Sequence, residues 1–369
     1  MPNKIPVAAP SLIGREREYV DDCMKSGWIS SAGKYVELFE TGFAEFCGVR
    51  HAVACCNGTV ALHLALAALG VERDDEVIVP TLTFVATPNA VTYCGARPVF
   101  VDSEAATWNL DPLQVEAKIT PRTKGIIAVH LYGHPAQMSK LREIANRHGL
   151  FLMEDAAEAH GAVCDNRTVG SIGDIAAFSF YANKIITTGE GGMVVTNDDA
   201  LAERVRLLRG QGMDPQRRYW HPVIGYNYRM MNLAAAIGLA QLEKISRQLA
   251  ERLKIAAAYR ERLLELPGVL PQAEMSWARH VYWMFSVVFD SEFWHERDKI
   301  IEILFEEGIE TRPLFYPAHT FPPYQKFSEG ETFPVAENLS ARGISLPTWT
   351  GLTEEDIDYV CRALEKCRK

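Results

Sequence analysis

The sequence predicts an α/β fold: a mainly parallel seven-stranded sheet in a large domain, followed by a smaller C-terminal α/β domain. Three observations predict it. From about residue 50 to 200, short apolar runs alternate with helical stretches. The runs are rich in Val, Ile and Phe and bounded by Gly, Pro or Asp, as buried strands are. After residue 230 the texture shifts to a long helical run and then to mixed extended and helical pieces.

The strands are expected at 52–55, 76–79, 98–101, 125–130, 151–154, 176–180 and 192–196. Between the first two, residues 58–69 place Leu62, Ala65, Leu66 and Leu69 on one helical face. Residues 135–148 form another helical stretch, ended by Gly149. Such alternation implies a parallel sheet covered on both faces. Beyond it, 232–266 is helical, 280–289 extended, 297–307 helical, 310–315 extended and 354–367 helical. The expected division is a large domain over 1–240 and a smaller one over 241–369, joined by a long helix.

Composition bounds the function. Of 369 residues, 48% are hydrophobic and 23% charged, an ordinary globular profile. The net charge of -9 argues against general nucleic-acid or anionic-membrane binding, though a local basic site is compatible with it. The longest apolar run, 61–71, is interrupted by His63 and falls short of the roughly 20 residues a membrane span needs. Eight scattered cysteines without CxxC spacing, and an opening MPNKIPVAAP with no apolar core, predict reduced thiols and a cytoplasmic protein. No metal site is expected.

Ligands of parallel sheets bind where strands end, so the residues following each strand carry the functional argument. Asn57-Gly58-Thr59 follows the first strand and opens a helix. Asn caps, Gly permits close backbone approach, and the free N–H groups attract an anion; an ordinary cap would look the same. Thr81-Leu82-Thr83-Phe84 follows the second strand, where Phe84 is either a ring stacker or a core residue. Phe151-Leu152-Met153-Glu154-Asp155 ends a strand in an acid. A buried Asp needs a partner, and a cationic pyridinium nitrogen would supply one; a helix cap is the alternative. Finally, Lys184 leaves the run Phe178-Ser179-Phe180-Tyr181-Ala182-Asn183 and enters a turn containing Gly189, Gly191 and Gly192. Desolvation there makes a nucleophilic amine, and Ser179 is within reach of a phosphate; alone, Lys184 reads as a solvent-facing loop lysine. The glycines lack both nucleotide-binding spacings. The set and its order carry the argument. Phosphate-type turn, aromatic, acid and lysine, each at a strand end, form the inventory that pyridoxal 5'-phosphate requires.

At these residues the chain resembles the DegT/DnrJ/EryC1/StrS sugar aminotransferases, of pyridoxal-phosphate fold type I (aspartate aminotransferase-like). The resemblance spans essentially the whole chain. It is strongest at Gly27-Trp28-Ile29-Ser30-Ser31, Asn57-Gly58-Thr59, Glu154-Asp155-Ala156-Ala157-Glu158-Ala159-His160-Gly161, 178–192 and Gly225-Tyr226-Asn227-Tyr228-Arg229-Met230. Within the family it is most like 4-aminotransferases of GDP-4-keto-6-deoxy-D-mannose, notably over 28–34, 183–192 and 209–220.

The resemblance implies roles by position. Lys184 is the Schiff-base lysine and carries a proton between substrate and cofactor. Asp155 pairs with the pyridine nitrogen. Glu158 stands near the ring hydroxyl, where many relatives carry Gln. Phe84 stacks on the ring, and Gly58, Thr59 and Ser179 join Asn57 in cradling the phosphate. Asn227 reaches the phosphate of a neighbouring subunit and Arg229 meets the donor's carboxylate, so a homodimer with shared sites is implied. L-glutamate is the expected amino donor and a nucleotide-linked 4-keto-6-deoxy sugar the acceptor, a chemistry of O-antigen biosynthesis. Ser31, His160, Arg218, Tyr316 and His319 are expected near sugar or diphosphate, each with a structural role as the alternative. A dTDP- or UDP-linked acceptor remains open. Related dehydratases carry His at the lysine position, which Lys184 disfavours. A non-catalytic cofactor-binding regulator would need a DNA-binding segment, and an oxidoreductase a glycine fingerprint; the sequence offers neither.

Overall fold

The computed structural model describes residues 4–369. Its central sheet is built from β1 (His51–Cys55), β2 (Glu76–Pro80), β3 (Arg97–Val101), β4 (Thr123–Val129), β5 (Phe151–Asp155), β6 (Ile175–Ser179) and β7 (Gly192–Thr196). The order across the sheet is β1-β7-β6-β5-β4-β2-β3. Only β7 runs against its neighbours; all other pairs are parallel. The seven expected strands are all present, with ends moved by a residue or two.

Period-two alternation splits each strand between two cores. Val77, Val79, Ile127 and Met153 face the larger core, with Phe39, Phe43, Phe178 and Phe180. Ile78, Ile126, Ala128 and Leu152 face the other side, against Leu141 and Ile144. Helices α1 (Glu16–Ser26), α2 (Lys34–Cys47), α3 (Gly58–Ala68), α4 (Ala86–Tyr93), α5 (Met138–His148) and α6 (Asp199–Arg209) belong to this part of the chain.

A second sheet follows: β8 (Val269–Pro271), β9 (Phe285–Phe289), β10 (Arg312–Pro313) and β11 (Gly343–Leu346), in the order β8-β9-β11-β10 and antiparallel throughout. Its own core holds Tyr259, Phe285, Trp294, Ile300, Leu304, Val360 and Leu364. Helices α9 (Arg297–Glu306), α10 (Pro334–Arg342) and α11 (Glu354–Glu365) lie along this segment.

Three expectations change in detail. The helical run 232–266 is two helices, α7 (Asn232–Leu242) and α8 (Ile245–Leu263). At the break, Gln241 and Lys244 both bond to the Ser11 carbonyl and to Glu16, a tertiary pull that propensity does not reveal. Helix α5 starts at Met138 rather than 135. The Ala136 N–H is spent on His130 Nδ1, and Asn109 takes the carbonyls of His134 and Pro135. The run 280–289 is a strand only from Phe285, because Tyr282 adopts a left-handed φ of 47°. All eight cysteines are unpaired, and among the described residues no helix is long and apolar enough to cross a membrane.

Candidate active site

The parallel strands deliver their C-terminal ends to one edge of the sheet, and chemistry gathers there. At the end of β1, the Asn57 side chain accepts the Val60 N–H at 3.0 Å and caps α3. The N–H groups of Gly58 and Thr59 bond to nothing among the described residues. Gly58 is required: a Cβ there would stand 2.6 Å from the Ser179 Cβ. Its absence lets the end of β6 press against the start of α3, so the Ser179 hydroxyl lies beside the free amides of the helix N-terminus. Gly192 plays the matching part on β7, where a Cβ would meet the Asn57 carbonyl at 2.3 Å.

Asp155 closes β5, in register with Val129 of β4 and Ala177 of β6. It is 6% exposed. Thr87 donates to its Oδ2 at 2.6 Å and the Ala157 N–H to its Oδ1 at 3.2 Å. Burial pushes this carboxyl up, against the pull of those donors and of Lys184. The neighbouring Glu154 points to the other core, where His130, Gly170, Ile172 and Gly173 all donate to it. Those bonds outweigh its burial and keep it below the usual carboxylate value.

Glu158 stands in the loop after β5 and is 4% exposed. Its Oε2 accepts the Tyr132 N–H at 2.8 Å, and its Oε1 lies 3.9 Å from Lys184 Nζ. Burial raises the Glu158 acid and lowers the Lys184 ammonium; their mutual attraction opposes both shifts. The Lys184 side chain is 11% exposed, and its Nζ sits 3.8 Å from the ring centroid of Trp283.

Aromatic rings wall the site. Trp283 lies nearly parallel to Tyr132, Tyr132 stacks on Phe315, and Phe315 reaches Phe84, with centroids 6.3, 5.2 and 5.7 Å apart. Phe84 ends this row with 54% of its surface open, so one ring at the mouth is free to cover a flat ligand.

The other sequence candidates are dispersed. Ser31 is half-buried, in the loop before α2. Asn227 and Arg229 are exposed and bonded to each other at 3.3 Å, on a strip that pairs with Gly210 and Cys55. Arg218 is exposed over the Tyr219 ring. Tyr316 is half-exposed, its hydroxyl accepting from Arg297. Two histidines are not brought to an open surface with a free ring nitrogen. His160 is 0% exposed among Phe43, Phe178 and Phe180, and neither of its nitrogens has a partner. His319 has both nitrogens engaged, by Thr81 at 2.7 Å and Glu337 at 3.2 Å.

Three residues of the cluster escaped sequence reasoning: Thr87, Tyr132 and Trp283. Thr87 lies three residues past Phe84, in the first turn of α4, close enough in sequence to the strand end to be weighed with it. Tyr132 and Trp283 carry no local signal, since their partners are 26 and 100 residues away.

The geometry has counterparts in known proteins. The profile of the DegT/DnrJ/EryC1/StrS aminotransferase family matches residues 10–365. GDP-perosamine synthase of Caulobacter vibrioides is 52% identical over 364 residues, covering 98% of each chain. The enzyme of that name from Vibrio cholerae is 46% identical, again over 98% of each chain. The crystal structure of DesI in the presence of its TDP-sugar product superposes with a TM-score of 0.92 at 40% identity, covering 100% of this chain and 93% of that one. A family profile matched over nearly the full length, and relatives this similar from end to end, establish that the chain belongs to the DegT/DnrJ/EryC1/StrS aminotransferase family.

Proposed function

We propose that this protein transfers the amino group of L-glutamate to a nucleotide-linked 4-keto-6-deoxy sugar, GDP-4-keto-6-deoxy-D-mannose, giving GDP-perosamine, with pyridoxal 5'-phosphate as cofactor. The observation that carries the reading is the placement of Lys184, Glu158 and Asp155 in one buried pocket, in a chain 52% identical to a GDP-perosamine synthase.

The residues fit the cofactor. Two unpaired helix N-terminal amides, the Ser179 hydroxyl and a glycine that admits close approach suit a phosphate. A buried acid whose pKa is pushed up by burial gains from a cationic partner and so suits a pyridinium nitrogen. When bound, the cofactor supplies an electron sink for the carbon that gives up or receives the amino group.

The chain supplies the rest. Gly58, Thr59 and Ser179 hold the phosphate, with Asn57 fixing the helix start. Asp155, oriented by Thr87, keeps the ring nitrogen protonated. Glu158 would meet the ring hydroxyl, and Phe84 would cover the ring. Lys184 anchors the cofactor and, once free, its amine takes and returns the proton that moves in each half of the transfer. Its depressed proton affinity suits a group that must be base and acid in turn.

The active unit is a homodimer with shared sites. Asn227 and Arg229 are exposed and serve the neighbouring site, at the phosphate and at the donor's carboxylate. Tyr219, Trp220, Ile224 and Met231 are exposed nearby in sequence, and Asn232 donates to the carbonyl of Trp28, which is exposed together with Ile29. Apolar exposure of this kind supports a covered interface. Ser31, Arg218 and Tyr316 contribute to the nucleotide-sugar side. Reduced thiols and a nucleotide-sugar substrate support a cytoplasmic setting.

The test is the visible spectrum of the purified protein, followed by GDP-, dTDP- and UDP-4-keto-6-deoxy sugars assayed side by side. Absorbance that bleaches with L-glutamate, and selective amination of the GDP sugar, are expected. A colourless protein that takes up no pyridoxal phosphate refutes the reading.

A further inference from the structure

The Lys184 amine rests against an aromatic face, without a hydrogen bond among the described residues. Glu158 Oε1, at 3.9 Å, is beyond hydrogen-bond reach. A buried ammonium beside a buried carboxylate gains by closing to contact, so something must hold the two apart. The Trp283 ring, 3.8 Å from Nζ, offers a cation the alternative of its negative face.

That residue is held at three points, two on its ring and one on its backbone. Its Nε1 donates to the Asn183 carbonyl at 2.8 Å, directly preceding Lys184 in the chain. It lies within 10° of parallel to Tyr132. Arg252, buried in α8, donates from Nη1 to the Trp283 carbonyl at 3.0 Å and to the Thr348 carbonyl at 3.1 Å. One residue from the second half of the chain thus grips both the amine of Lys184 and the backbone that carries it.

We propose that Trp283 is a positioning residue for Lys184. Its ring face is the resting place of the free ammonium, and its N–H, through Asn183, fixes the point from which the amine swings. This rests on Lys184 being the reactive lysine. The ring favours the ammonium over the neutral amine, so removing it lowers the proton affinity of Lys184. The ionisable groups around the amine are Glu158 and Asp155, which favour the cation, and Arg312 and the buried His160, which do not share that effect.

The test is the pH dependence of Lys184 acetylation in cofactor-free protein, read at its peptide by mass spectrometry. Trp283→Leu should lower the midpoint by about one pH unit, equivalent to roughly tenfold more free amine below it. Trp283→Phe, which keeps a ring face, should recover most of the shift while losing the bond to Asn183. Fluorotryptophan incorporated into the unaltered sequence weakens the ring face without changing its shape and should shift the midpoint the same way. A midpoint in Trp283→Leu equal to the unaltered protein's overturns the inference. Should that variant fail to fold, an unmoved midpoint in the fluorotryptophan protein overturns it equally. The readout is the amine itself, so it decides this inference even where no sugar is aminated, and a failed amination assay bears only on the proposed function.

Discussion

Thr87 Oγ1 donates to Asp155 Oδ2 at 2.6 Å, and the threonine is wholly buried. Thr87 also shares its hydroxyl with Thr83 at 3.0 Å, so the orientation of the acid is set from α4. Thr87→Val keeps the shape and leaves a carboxylate oxygen without a donor, at a cost of about 1–3 kcal/mol. Because Thr87 lowers the Asp155 pKa, its loss moves the acid further up and leaves less of it ionised. Cofactor affinity should fall roughly tenfold, measured by titrating pyridoxal phosphate into cofactor-free protein, and Thr87→Ser should restore it. Wild-type affinity in Thr87→Val would remove the supporting role.

Glu158 acts in two directions, and two substitutions separate them. Its Oε2 satisfies the Tyr132 N–H, on a residue at a left-handed φ of 56°. Its charge favours the Lys184 ammonium. Glu158→Gln keeps an acceptor for Tyr132 but deletes the charge, so the acetylation midpoint of Lys184 should fall while the melting temperature holds. Glu158→Leu also strands the amide and should cost a further ~1–3 kcal/mol of stability, read by urea unfolding. A midpoint unmoved in Glu158→Gln would mean the 3.9 Å pair carries no charge coupling.

Burial holds His134 down to about 4 and His160 down to about 3. Both are neutral in the folded protein at pH 5, whereas an unfolded His, near 6.5, is largely protonated there. Unfolding therefore takes up protons at these two sites, and their contribution to stability falls as pH drops from about 6.5 towards about 4, by up to ~1.4 kcal/mol per pH unit for each histidine, while Glu158, held up to about 7, works the other way. His160 sits among three phenylalanines with neither nitrogen bonded. His160→Phe should flatten the slope of unfolding free energy against pH by up to one proton in that window. An unchanged slope would show that His160 does not titrate on unfolding.

The sheet was legible because its signal is local: each strand is a short apolar run between breakers, and the candidate site residues follow directly after. Lys184, Asp155 and the Asn57-Gly58-Thr59 turn could be read for the same reason. What stayed hidden is long-range. The break between α7 and α8 comes from Ser11 and Glu16, more than 200 residues earlier. Trp283 looked like one more apolar residue of an extended run, since nothing in its neighbourhood encodes Asn183 or Lys184. The motif around His160 reads as functional, and only packing shows its ring enclosed.

Asn227 and Arg229 offer the sharpest test of a shared site, because their exposure in one chain leaves them free to serve another. On the proposed function, Lys184→Ala removes the reactive amine, and Asn227→Ala removes a phosphate contact given to the neighbour. Each homodimer should be impaired, the first without turnover and the second in cofactor affinity. In a two-fold dimer of one protomer of each kind, one site carries both defects and the other carries none. Random reassortment makes about half the dimers mixed, so about one quarter of all sites become intact. Mixing the two variants under subunit exchange, at a cofactor concentration that leaves Asn227→Ala unloaded, should therefore restore about a quarter of unaltered turnover. If Asn227 serves its own chain's site, each protomer of the mixed dimer carries its own defect, and mixing restores nothing.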